Sequence, residues 1–249
     1  MLSATATRRR QRGPATSHTA QRLVAALVAL LALVSLILGL RLGVAALKDY
    51  QASSFLSSWE RQRTIPSEQA WQVGLSAARQ AQAWFPGSNA QLTERLGYFW
   101  QWRAHQLGAQ GAGATPALAE AKQQAIQQFR EAIKLRPQWP FAWLGLAYAK
   151  LVANQLDSEF EQALILAQQY APERNPVNAR VAEIGLIAWS HLSPAQQQRV
   201  MLSIVKTHRY SPSSRKALLD LAAELQHLSW LCVELSEQQG PCAAFKGAQ

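Results

Sequence analysis

Asp157, Glu159 and Glu161 form the one acidic cluster in the chain. Closely spaced carboxylates are the raw material of general acid–base chemistry and of cation binding. On a helix these three positions point to different faces, so the pattern fits a solvated surface better than a shared site. His105, His191, His208 and His227 stand apart from one another, with no nucleophile or orienting partner at motif spacing. Each therefore reads as a surface or capping histidine rather than a general base. The chain has no glycine-rich phosphate loop, no GxSxG, no HExxH and no paired-Asp motif of a glycosyltransferase. The expectation is a protein without a catalytic set, a cofactor or a metal site.

Two other residue types could still do work. Trp139 and Trp143 flank Pro140, and indole faces stack on sugar rings as on other flat apolar surfaces. They are the candidate interaction surface, with glycan contact as one use and packing between helices as the competing one. Trp100 and Trp102 point in different directions on a single helix. Cys232 and Cys242 are the only cysteines. Outside the cytoplasm they could close a small disulfide loop through Gly240 and Pro241. Two unpaired thiols, with Cys232 buried on a helix, is the other reading. A zinc site with His208 or His227 matches no usual ligand spacing.

The elements that must position these residues are helices. Ala, Leu, Gln, Glu and Arg dominate, and no stretch alternates apolar and polar residues over a strand length. Breaks fall at 64–67, 86–89, 136–140, 171–176, 191–194 and 210–213. Ser193 before Pro194 is an N-cap signal, with Gln196 placed for a capping box. Ser67 opens the segment containing Trp71 in the same way. Gly108 to Ala114 reads as an enlarged loop. Three helices are expected at the C-terminus, Pro194 to His208, Pro212 to Leu225 and Leu228 to Gln238, forming a cap from about residue 194.

A spacing recurs at the ends of successive helices. It runs Gly74, Ala78, Ala81, Pro86, then Ala125, Phe129, Ala132, Pro137, then Phe160, Leu164, Ala167, Pro172. Antiparallel helices approach closely only where side chains are small, a large residue one turn away fills the space beside the contact, and Pro ends the helix at a fixed phase. The last two prolines are 35 residues apart, near the period of about 34 in tetratricopeptide repeats. Trp143, Leu146 and Ala147 continue the pattern, and Leu96, Gly97 and Trp100 echo it upstream. The segment Ala125 to Pro172 resembles that family most clearly. The resemblance implies helical hairpins stacked into a solenoid with a concave face.

The front of the chain is of another kind. Leu23 to Leu40 is eighteen residues without a charge, preceded by Arg8, Arg9, Arg10, Arg12 and Arg22. As a helix it covers about 27 Å, close to a bilayer's hydrocarbon thickness. The expected organisation is a basic cytoplasmic tail over 1–22, an anchor over 23–47 and a periplasmic helical domain over 48–249, in a bacterial inner membrane. A cleaved signal peptide, with Val44 and Ala46 as its small residues, is the alternative. Arg41 and Lys48 close the span as interfacial anchors and favour an uncleaved helix. The net charge is +10, but from Asp49 onward 18 basic and 15 acidic residues leave only +3. Nucleic-acid binding is therefore not expected, and the basic tail fits anionic lipid headgroups.

A basic tail, one anchor, degenerate repeats, the run Arg136 to Trp143, the run Glu183 to Trp189 and a terminal Cys pair make up the whole layout. This layout resembles the VpsP-type proteins of bacterial exopolysaccharide gene clusters. The resemblance implies a non-catalytic role in polysaccharide synthesis and export, among membrane-bound partners, with no chemistry attached to particular residues. An assembly scaffold for another envelope system, such as cytochrome c maturation, is the competing expectation, and an enzyme is the third.

Overall fold

The computed structural model describes residues 18–111, 115–236 and 240–245. The basic run Arg8 to Arg12 and the middle of the glycine-rich loop, 112–114, lie outside the described residues. Those described form ten α-helices and no strand. They are α1 (His18–Gln62), α2 (Glu68–Trp84), α3 (Ala90–Ala109), α4 (Pro116–Leu135) and α5 (Pro140–Val152). There follow α6 (Ser158–Tyr170), α7 (Asn175–Ile187), α8 (Pro194–Tyr210), α9 (Pro212–Glu224) and α10 (Leu228–Glu234). Single 3-10 turns sit at Trp189–His191 and Gly240–Phe245.

The expected boundary between anchor and domain is not a break. α1 runs unbroken for 45 residues, about 68 Å at the helical rise. Residues 18–40 are exposed along its length, and this is a helix long and apolar enough to cross a membrane. Ala45, Ala52, Leu56 and Trp59 are buried. Their spacing of seven, four and three puts them on one face, and that face starts the core of the domain. Ala45, between the Val44 and Ala46 of the cleavage-like pair, is the first buried residue of α1.

Every member of the three recurring triads is buried: Gly74, Ala78 and Ala81 in α2, Ala125, Phe129 and Ala132 in α4, Phe160, Leu164 and Ala167 in α6. The reason for the small residues is visible around Phe129. A Cβ on Gly97 of α3 would stand 2.8 Å from its ring, and one on Gly145 of α5 would stand 2.2 Å away. Both neighbouring helices give up a side chain so that one phenyl ring can lie between them.

The caps expected at Ser67 and Ser193 are present, and Thr115 and Asn89 add two more. The hydroxyls of Ser67, Thr115 and Ser193 accept from Ala70, Leu118 and Gln196 backbone N–H groups. Asn89 Oδ1 accepts from Gln91 and Leu92. The capping box at Ser193 is only half formed, because the buried Gln196 Oε1 has no partner. The three C-terminal helices are present with shifted ends: α8 is two residues longer than expected, α9 one shorter, and α10 stops at Glu234.

Candidate interaction surface

Trp139 is the N-cap of α5 and half-buried. Its Nε1 donates to Glu94 Oε2 on α3 at 3.0 Å. Arg136 lies over its ring at 4.1 Å from the centroid, and Arg174, from the turn before α7, approaches at 5.6 Å. Arg174 also covers Phe141, which leans on Trp139 at 5.2 Å. The indole is therefore engaged by two guanidinium groups and does not stand as a bare platform. Trp143 is half-buried against the main core, and its Nε1 donates to Pro137 O at 2.7 Å. It pins the turn that Pro137 starts, which is a packing role.

Glu94 is the acid that sequence reading missed. It is buried, and burial raises its carboxyl above the ordinary range, against the lowering effect of hydrogen bonds from Tyr98 and Trp139. Tyr98 donates to Oε1 at 3.1 Å, so both carboxylate oxygens are taken by neighbouring side chains. The Tyr98 hydroxyl is itself pushed up, first by burial and then by Glu94. A carboxyl with a raised pKa can mark an acid–base site. Here it bridges α3 to α5 in the interior of the stack.

The acidic cluster resolves into separate duties. Asp157 caps α6, accepting from Glu159 and Phe160 backbone N–H groups. Its carboxylate and that of Glu159 also meet the ammonium of Lys150, which is 1% exposed, at 2.8 and 2.7 Å. Arg130 of α4 forks onto Glu159 at 2.6 and 2.8 Å. That fork, then Lys150, holds the Glu159 carboxyl down to about 2, and Lys150 lowers Asp157. Glu161 belongs to neither contact. The surface expected from sequence is thus an ion network around a buried lysine, tying α4, α5 and α6 together. Nothing in its local spacing announced it, since Arg130 and Glu159 are 29 residues apart.

His105 packs edge-on to Trp102, His227 tilts against Trp230, and His191 Nδ1 sits 3.2 Å from Ser190 Oγ. His208 is buried at the end of α8. Among the described residues no three His, Cys, Asp or Glu side chains gather as a metal set. Cys232 and Cys242 are bonded, with their Cα atoms 5.5 Å apart. Of the two readings left open, the bridge is the one present, and it ties the last 3-10 turn to α10. A different inner face is lined by Arg180, whose guanidinium lies 4.1 Å over the Tyr148 ring and bonds Glu183 at 2.7 Å. It opens into a groove with Arg63, Pro176, Lys216, Asp220 and Glu224. Comparison with known proteins finds no matching family model and no matching curated protein.

Proposed function

We propose that this protein is a membrane-anchored, non-catalytic scaffold whose tetratricopeptide-like helical domain holds partners beside the bilayer. One observation carries this reading: α1 is both the apolar candidate span and the first helix of the packed domain. A rigid helix shared in this way fixes the domain at the membrane and raises its effective concentration against membrane partners. Stacked hairpins offer an extended surface rather than a closed cleft. The carboxylates and the buried lysine that could have done chemistry are engaged in ties between helices. The Cys232–Cys242 bridge supports placing the domain in an oxidising compartment, the bacterial periplasm. The partners we assign are membrane-bound proteins of exopolysaccharide synthesis and export, on the strength of the VpsP-like layout.

Deletion of the gene tests this. Exported polymer should fall while c-type cytochromes are unchanged; the reverse outcome would move the scaffold to cytochrome maturation. Single Ala changes at Asp157, Glu159, Glu161, His191 and His208 should each leave polymer output near normal. Loss of all polymer from one of them, in a protein folded and at normal abundance, would make this an enzyme. The domain exported without residues 1–40 should support less polymer than the anchored chain.

A further inference from the structure

The apolar run ends at Leu40, and the next residue does not simply reach for water. Arg41 Nε donates to Trp84 O at 3.2 Å, and its Nη2 approaches Ala83 O at 3.4 Å. Those carbonyls are among the last of α2, so the guanidinium caps the negative end of that helix. The consequence is geometric. α2 runs back along α1 and delivers its C-terminal turn to the level at which the apolar run stops.

That turn carries unusual residues for a loop. Trp84 is 43% exposed at the end of α2, with Phe85 and Pro86 half-exposed beside it. No charged residue occurs from Gln80 to Thr93; the stretches 104–119 and 184–198 share this lack of Asp, Glu, Lys and Arg, but among the described residues only the α2–α3 turn is tied to α1 at the end of the apolar run. On α1 itself Leu42 and Leu47 remain exposed just beyond Arg41. Tryptophan with an uncharged apolar surround is what the headgroup layer of a bilayer selects, since the ring is apolar and its N–H stays wet. Trp84 packs into neither of the two core clusters.

We infer that the α2–α3 turn, centred on Trp84 and Phe85 and locked to the anchor by Arg41, is a second bilayer contact that lays the domain against the headgroup layer. The partner is lipid. This rests on reading residues 23–40 as a membrane span, and the test separates the two. Full-length protein is reconstituted in phosphatidylcholine–phosphatidylglycerol vesicles with its disulfide intact. An environment-sensitive fluorophore is placed on one of L31C, S88C or T64C. Position 31 reports the span and 88 the turn. Position 64 lies just past the end of α1, about 32 Å along the helix from Arg41.

Lipids carrying a nitroxide on the headgroup should quench position 88 several-fold more than position 64. Lipids carrying it mid-chain should quench position 31. Quenching at 31 with 88 no stronger than 64 would overturn this inference and leave the span standing. Absence of quenching at 31 would overturn the span itself. In a W84S/F85S background, quenching at 88 should fall towards the level at 64 while that at 31 is unchanged. Unaltered quenching at 88 would refute the assignment to the two aromatic residues. Melting of this variant should match the parent within error, since both side chains are exposed or half-exposed.

Discussion

The domain fills its interior in two ways. Around α1, α2 and α3 the core sets interlocking rings among alanine and leucine side chains. Trp59 meets Phe99 edge-on at 5.6 Å and Trp102 at 5.7 Å, and Trp71 meets Trp100 at 5.4 Å. From α4 onward it is built mainly from alanine and aliphatic side chains, with Phe129 and Phe160 fully inside. Both regions press a ring against a glycine: a Cβ on Gly74 of α2 would stand 2.5 Å from the Phe99 ring, as one on Gly145 would stand 2.2 Å from Phe129. Each edge-to-face pair adds about 0.5–1.5 kcal/mol beyond its burial. A ring between two glycines leaves no room for adjustment, because the interior is already at crystal density. The recurring spacing runs through both regions, since Gly74, Ala78 and Ala81 lie in α2, and the first region also receives the long apolar helix.

Substitution at Phe129 should show the largest effect. Phe129→Ala empties the space between Gly97 and Gly145 and should cost about 3–5 kcal/mol. Phe55→Ala, half-buried beside Trp59, should cost clearly less. Denaturant unfolding of the two variants in detergent measures the difference, and equal losses would mean that full burial between the two glycines adds nothing.

Overpacking comes next. Gly145→Ala must push against the Phe129 ring, and Ala132→Phe or Ala167→Phe against closely packed backbones; each should cost about 1–3 kcal/mol or more. Gln127→Phe, on the exposed face of α4, and Gly43→Ala, with open space around it, should be nearly silent in thermal melts. Uniform effects across these variants would mean that the repeat frame is misplaced.

The smallest effects distinguish the two carboxylates. Glu159 has its folded pKa held near 2, below the ordinary 4.5, by Arg130 first and Lys150 second. Its contribution is therefore present above the ordinary carboxylate range and is lost as pH falls towards 2. Glu94 is shifted the other way by burial. Its contribution is full once it is protonated and is lost as pH rises through its raised value. Melting temperatures followed from pH 7 to pH 3 should thus fall less steeply in Glu159→Gln than in the parent. In Glu94→Gln the gain on mild acidification should be missing.

The triads were legible because they obey a local rule: small residues three and four apart lie on one helix face, and a proline fixes the phase. Ser67 and Ser193 were legible for the same reason, since a cap acts within three residues. The Glu94–Trp139 bond joins residues 45 apart, and Arg41 reaches a carbonyl 43 residues on. No periodicity encodes either. No local pattern singles out Lys150, and its burial depends on contacts from outside its own helix. The acidic cluster was placed on a solvated face because its members do diverge on a single helix; the residues that reunite two of them come from neighbouring helices.

By itself the sequence determined the all-helical class, most of the helix ends, the long apolar run over 23–40 and the positions where helices approach closely. These follow from periodicity, capping and hydropathy, which act over a few residues. Tertiary structure alone decided that the span and the first domain helix are one rod and that Arg41 ties α2 to it. It also decided that the two cysteines meet and that Trp139 faces two arginines and a buried carboxylate rather than open solvent. Those contacts depend on how successive helices stack. Stacking is set by the summed shape of many side chains, and no local spacing records it.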